Sequence, residues 1–596
     1  MFDELGKSLR TYLHSEFIRQ YAKLSVLAAV VGAVGAFIAI GFRWMIQAFQ
    51  GLFFAGGTPL HNTLGVWLIF VPAVGAVFVG AIWYWLAPEV KGAGVADVML
   101  TTVSQKRKFR ARTPALKALA ASITIGSGGS AGREGPIIQI GASFAGVVGS
   151  WLKLTRTELR ILVACGAAAG ISATFNTPLA GAVFALELLL LEFKTRSFVP
   201  LIISSVFATL ISRLYLGDFP TFSVKLEYSL VSPYELAFYL LLGLVAGLAG
   251  VGFTKSLSRI EDVFDRVSLP GFVKPALGAL LVGAVGIFYP SIMGIGYDTV
   301  TMVLNGDIAA LFQGHFVILF VAALLAMKLI ATSLTLGSGG SGGVIGPSLF
   351  MGAMLGAAFG MGAHTFFPSI TADYEAYAMV GMAAVFAASS RATLTAILML
   401  FEMTSAYSII LPLMFACVVS DVVSSILSKE TVFTYKLAKQ GVRYVHDLSA
   451  NILEMVKVND AMTRTYNPIT PDTTLREVVD MELYTGKKCF PVIAADGRMK
   501  GILTASDVRK AFEKGNKDGL AKDVMTKRVV TVFPEDSLQL AFEKMVLRKI
   551  GYLPVIDPAK HSRVLGMIDR EAILDRYKEV LAEEVSQESL HGRLME

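Results

Sequence analysis

Charge is scarce in this chain: Asp, Glu, Lys and Arg make up 17% of its 596 residues, against about 25% in ordinary soluble domains. Hydrophobic residues reach 54% and the mean hydropathy is +0.60, so a soluble globular protein is excluded and an integral membrane protein expected. Cysteine is scarcer still. Cys165 and Cys417 lie in apolar segments and Cys489 in a polar one; three residues so placed exclude a disulfide framework and read as reduced, structural thiols. The seven histidines are scattered, and no histidine pair, nucleophile triad or metal-spaced cluster appears, which leaves an enzyme and a metal site without support. The net charge of +7 comes with no basic domain interleaved with aromatics, so nucleic-acid binding is set aside. Lys7, Arg10, Arg19, Lys23 and the run Lys106–Arg112 fit cytoplasmic segments instead. A cleavable signal peptide is not expected either, because the N-terminus is polar through Lys23 and the first apolar run is long enough to remain as a span.

Apolar runs are what the chain has. Leu24–Phe42, Leu64–Leu86, Leu236–Phe253, Val273–Tyr289, Phe316–Leu336 and Ile409–Leu427 approach the roughly 20 residues that cross a bilayer, and the shorter ones point to tilted or incomplete helices. Composition changes near Lys429, and after Gly441 the chain becomes charged with short alternating elements. The expected organisation is a cytosolic segment over 1–17, an all-α membrane domain over 18–440 and an α/β soluble part beyond it.

Both parts repeat. Gly126–Pro136 (GSGGSAGREGP) returns 211 residues later as Gly337–Pro347 (GSGGSGGVIGP), identical at eight of eleven positions. FNTPLAGAVFALE (175–187) is answered 215 residues later by SRATLTAILMLFE (390–402), with Glu187 and Glu402 at matched places. Two halves, about 18–220 and 230–440, each interrupted by Gly and Pro, are the signature of a transporter built from inverted repeats, with its substrate site where the halves meet. Gly352, Gly356 and Gly360, four apart, read as close helix packing. Packing alone would not require Pro136 and Pro347 to end both loops. Neither loop carries the Gly-Lys-Ser/Thr of a phosphate-binding loop, although Gly337–Gly342 fits G-x-G-x-x-G.

Glu134 is the residue hardest to place in a membrane. Its burial is expensive unless it is paired or lines a wet pathway, and the glycines beside it leave backbone N–H groups free to face an anion. An ion pair with Arg133 is the plain alternative. GREGP (132–136), FNTPLAG (175–181), GSGGSGGVIGP (337–347) and LFEMT (400–404) stand in the order and spacing of the CLC family of chloride channels and proton-coupled chloride antiporters, which the membrane domain resembles. The soluble part resembles a tandem pair of CBS modules. The resemblance implies a homodimer with one anion pathway per subunit. Helix N-termini lodged at the midplane would face the ion, their partial positive charge and unpaired N–H groups replacing its hydration. It places anion contacts at Arg133 and at the backbones around Gly135, Val344 and Ile345. It also makes Glu134 the gate, a carboxylate that occupies an anion site until protonation or an entering anion displaces it.

Three positions depart from the family pattern. The loop usually written Gly-Ser-Gly-Ile-Pro reads Gly92-Ala93-Gly94-Val95-Ala96, so Ala93 brings no hydroxyl to the central anion. The partner tyrosine aligns with Phe433, and a two-residue shift would bring Tyr435 there instead. Losing two neutral hydrogen bonds removes on the order of 1 kcal/mol each, so chloride is expected to bind the centre weakly and pass quickly. The internal proton-carrying glutamate of coupled members falls at Leu188, which carries no proton. Glu187 or Glu192 could substitute, but Glu187 has a mate in Glu402 and reads more economically as a helix-end group. The expectation is a passive, voltage- or pH-gated chloride channel; a proton-coupled chloride antiporter is the alternative. A CBS-regulated cation transporter would need carboxylate rings, whereas the loops here present glycine amides and Arg133.

DAMT (460–463) and DVMT (523–526) lie 63 apart, as do the PVI triplets at 491–493 and 554–556, giving CBS modules over 454–515 and 520–582 and a tail over 583–596. Strands are expected at Phe490–Ala494 and Lys500–Thr504 about a turn at Asp496–Gly497, with a helix from Ala505. Resemblance to nucleotide-sensing CBS pairs implies that Thr504 meets phosphate and Asp507 ribose. The second copy has Asp569, which repels phosphate, and Ala572, which cannot hold ribose. One half-site for ATP, ADP or AMP and a ligand-free dimerisation scaffold both fit. No other cofactor is required, and chloride is the bound ion. Compact loops without targeting features suggest a bacterial inner membrane, with both termini cytoplasmic because nucleotides are cytosolic.

Overall fold

A computed structural model describes residues 16–56, 65–103, 109–191, 193–218, 220–222, 224, 230–310, 316–440, 453, 456–558 and 563–580. Residues 1–15 of the N-terminal segment, Glu192 and the tail 583–596 lie outside them. The chain divides into two compact units, 1–444 and 445–596, close to the composition change after Gly441.

In the first unit, 8 helices among the described residues are long and apolar enough to cross a membrane. Ala22–Phe53, Gly65–Leu86, Glu235–Arg266, Val317–Gly337 and Tyr407–Leu427 fall on the apolar runs. The run Val273–Tyr289 gives a helix of 15 residues, Lys274–Phe288, too short at 1.5 Å per residue to cross upright. Arg156–Phe175, Thr195–Leu216 and Ile345–Phe366 are further helices of that length, with lower mean hydropathies of 1.4, 1.7 and 1.4. Arg156–Phe175 is buried along most of its length, so it meets protein rather than lipid and carries Ala and Gly where a lipid-facing helix carries Leu. A Cβ on Gly166 would lie 2.2 Å from the Gly141 carbonyl oxygen, and one on Gly356 would lie 2.0 Å from that of Tyr377. Close approach is therefore what these glycines provide, Gly352 and Gly360 included.

The two halves interlock by exchanging equivalent contacts. Glu402 accepts from the backbone N–H of Leu179 (3.0 Å) and Ala180 (2.8 Å), capping the helix Pro178–Phe184 of the first half. Its mate Glu187 accepts from Leu394 N (3.2 Å), Thr395 N (2.9 Å) and Thr395 Oγ1 (2.6 Å), capping Thr393–Thr404 of the second. Each carboxylate thus satisfies first-turn donors that the helix itself cannot.

The second unit holds two antiparallel strand pairs, Cys489–Ile493 with Met499–Thr504 and Tyr552–Ile556 with Val564–Asp569. The repeated D-x-M-T motif is a swapped edge: Thr463 of the first copy bridges Met567 of the second, and Thr526 of the second bridges Ile502 of the first. Helices Leu475–Thr485 and Leu538–Arg548 cover the two resulting apolar clusters, one centred on Phe490 and Leu503, the other on Leu553 and Ile568.

Candidate functional site

The two Gly-rich loops meet back to back in the centre of the first unit. Gly132 and Gly343 form a two-residue antiparallel bridge, Gly132 N to Gly343 O at 2.8 Å and Gly343 N to Gly132 O at 2.6 Å. Around it the contacts are two-fold related. Ser130 N donates to Thr335 Oγ1 (3.1 Å) and Ser341 N to Thr124 Oγ1 (3.2 Å). From this junction two helices start, Glu134–Trp151 and Ile345–Phe366, neither with a side-chain cap. Pro136 and Pro347 occupy the third position of each, where a missing N–H breaks no helical bond. The first-turn amides of Gly135, Ile345 and Gly346 are therefore not consumed by helical bonding.

Glu134 is fully buried and its carboxylate takes up one of these amides: Gly346 N donates to Oε2 at 3.0 Å. Tyr297 Oη donates to Oε1 at 2.5 Å. A carboxylate thus sits on the helix N-terminus of the opposite half, where an anion would. The ion-pair reading of Glu134 with Arg133 does not hold among the described residues, where no such pair is formed. The Arg133 guanidinium instead lies over the rings of Tyr297 (5.6 Å) and Phe175 (5.9 Å). Its Nε is buried without a partner.

Two cavities share residues with the elements of this junction. A cavity of about 470 Å³ is lined by Arg43, Arg133, Asn176, Thr221 and Tyr297. Another of about 320 Å³ is lined by Lys91, Gly92, Ala93, Glu261, Tyr435 and Lys436. Gly92 and Gly94 adopt left-handed φ of 78° and 86°, which folds the Ala93 carbonyl inward until a Cβ on Gly135 would lie 2.3 Å from its oxygen. Ala93, Gly94 and Gly135 are thus brought together, and Val344 and Ile345 are buried at the facing N-terminus. Phe433 is fully buried with its ring edge-on to Phe184 at 6.5 Å. Tyr435 lines the same cavity as Ala93, but its hydroxyl donates to Glu261 Oε2 at 2.8 Å, so the shifted alignment finds that hydroxyl tied to another element.

The proton-path candidates are not brought to the gate. Glu187 accepts from three donors at the start of Thr393–Thr404, the contacts of a helix-end group, and Leu188 is buried in the π-helical turn Ala185–Leu190. In the second unit Thr504 and Asp507 bond each other first: Asp507 Oδ2 accepts from Thr504 Oγ1 (2.6 Å) and Thr504 N (3.1 Å), closing the start of the helix Ala505–Glu513. Burial, then the carboxylates of Asp507 and Asp569, push the Cys489 thiol up to about 12, so the equivalent ends of both copies face one thiol.

Two buried lysines and Tyr297 escaped the sequence reading. Lys117 Nζ donates to Val90 O (3.0 Å) and Gly92 O (2.7 Å), and Lys328 Nζ to Ile292 O (2.8 Å) and Gly294 O (2.9 Å). They lie 211 residues apart, the offset of the Gly-rich loops, and PEVKGAGVADV (88–98) returns 202 residues later as PSIMGIGYDTV (290–300). Extending the repeat toward the N-terminal side of each Gly-rich loop reaches all three.

Membrane-length helices, interlocked inverted halves and an anion-like carboxylate on a free helix N-terminus define a membrane transport protein of the inverted-repeat class. Residues 75–425 match the family described as Voltage gated chloride channel, and 458–514 and 521–579 match the CBS domain. The chain belongs to that CLC family and carries a C-terminal CBS pair. Chloride channel protein CLC-f of Arabidopsis thaliana is 30% identical over 635 residues, covering 92% of this chain and 80% of its own. The H(+)/Cl(-) exchange transporter ClcA of Yersinia pseudotuberculosis is 31% identical over 428 residues, covering 70% and 87%. Among solved structures, a slow cyanobacterial Cl-/H+ antiporter, 27% identical, superposes with a TM-score of 0.63 over 70% of this chain and 97% of its own.

Proposed function

We propose that chloride crosses this protein by a passive pathway in each subunit of a homodimer, opened when the Glu134 carboxylate leaves the Gly346 amide. The observation that carries the reading is that carboxylate, buried and hydrogen-bonded at a helix N-terminus, with its partner Tyr297 lining one cavity and Ala93, which closes on Gly135, lining another. An anion of similar charge can replace it there, and protonation weakens its hold. At the centre, Ala93 and Phe433 offer an incoming ion no hydroxyl, so binding rests on backbone dipoles and is weak, which suits rapid passage. Passive movement is favoured over exchange by Leu188 and by the commitment of Glu187 to capping.

Proton-coupled exchange is the second reading, favoured by the names of two relatives, an exchange transporter and an antiporter. Purified protein in liposomes separates the two. A chloride gradient should collapse without lifting protons against their own gradient. Stoichiometric proton uptake driven by chloride would replace the channel reading with the exchanger. The CBS pair is read as a cytoplasmic unit with one adenine-nucleotide half-site at Thr504 and Asp507. On this reading both termini are cytoplasmic, and the membrane is read as a bacterial inner membrane from the compact loops without targeting features.

A further inference from the structure

We propose that Tyr297 is the latch of the gate: its hydroxyl holds the Glu134 carboxylate closed, and the buried Lys328 fixes the loop that presents it. The inference rests on the reading of Glu134 as the gate.

The inverted repeat exposes the asymmetry. The loop Gly92–Val95 and its counterpart Gly294–Tyr297 are built alike, each with two glycines of positive φ and each with its carbonyls gathered by a fully buried lysine. Val95 fills the last position of one loop and Tyr297 that of the other. Scaffolding alone is served by valine, so the phenol needs another explanation.

Its surroundings leave the hydroxyl little choice. The ring is held edge-on to Phe222 at 5.1 Å and lies beneath the Arg133 guanidinium. Gly296 cannot be replaced without meeting the Phe350 ring at 2.8 Å or Lys328 Nζ at 3.3 Å, so loop, lysine and ring form one close-packed block. The hydroxyl on that block reaches Glu134 Oε1 at 2.5 Å, while Gly346 holds Oε2. The charged groups about the carboxylate are Arg133, turned over the aromatic rings, and Lys328, whose Nζ donates to two carbonyls. Asp298 follows Tyr297 but is exposed to the cavity. No cation is within ion-pair distance of Glu134 among the described residues, so the phenol and one amide are its shown bonds. Opening must break the phenol's bond, which sets how readily acid or an entering anion frees the gate.

The test is chloride efflux from proteoliposomes for Y297F and for Y297V, the latter carrying the residue of the mate loop, each alone and combined with E134A. Two variants of different bulk, checked by gel filtration and thermal melting, keep the test open should one fail to assemble. Losing one charge-assisted hydrogen bond should raise flux at neutral pH by roughly tenfold and leave E134A flux unaltered. Wild-type flux in Y297F, or an equal rise in the E134A background, overturns the latch. If E134A itself keeps wild-type gating, the gate reading is what fails.

Discussion

Glu134 accepts two hydrogen bonds and forms no ion pair among the described residues, so its charge is held by an amide, a phenol and the dipole of the opposing helix. None of these follows a carboxamide or a methyl group with equal strength. E134Q and E134A should therefore conduct chloride at a rate that does not change with pH. Stopped-flow efflux at several pH values checks this, and a surviving wild-type pH profile would remove the gate. Ala93 is the complementary case, where the proposed central site lacks a hydroxyl. A93S restores one hydroxyl and should tighten chloride binding about fivefold, the equivalent of about 1 kcal/mol, with slower efflux; calorimetric titration with chloride reads it directly. Glu134 was legible because charge is so rare among these segments. Tyr297 was not, since a tyrosine in an apolar protein is unremarkable until its hydroxyl is seen on the gate.

Short helices are held here by side chains from the other half of the molecule. The helix Pro178–Phe184 and its counterpart Thr393–Thr404 each have their first-turn amides covered by Glu402 and Glu187 respectively. E402A and E187A should each lower stability by about 1 kcal/mol, as the loss of a cap does, seen as a lower melting temperature in detergent. Neither should change proton movement under a chloride gradient. If E187A abolished such movement and left melting unaltered, the capping role would give way to a proton path. Matched positions in the sequence paired these two glutamates; that each caps the other's helix needed the inverted packing to appear. Arg156–Phe175 marks the opposite limit, a helix buried along most of its length, whose Ala and Gly lower its mean hydropathy to 1.4 against 2.4 for Ala22–Phe53.

At the scale of the whole molecule two units carry separate tasks, a conduit and a CBS pair. Thr504 and Asp507 already bond each other, so a nucleotide must share or displace that contact, and the second copy presents Asp569 where phosphate would lie. Calorimetry of the full chain with ATP should find one site per chain, lost in D507A. No heat at about millimolar ligand, some 4 kcal/mol of binding, leaves the pair a scaffold. The amino-acid sequence by itself determined the membrane class, the division after Gly441, both sets of repeats and Glu134 as the acid out of place, because hydropathy, offsets and an isolated charge are local or periodic properties of a string. Folding decided which amide Glu134 occupies, that Tyr435 serves Glu261 while Phe433 packs on Phe184, and that two lysines 211 residues apart bind mirrored loops. Those outcomes depend on one half being inverted against the other, and contacts across such a junction join residues that no local pattern connects.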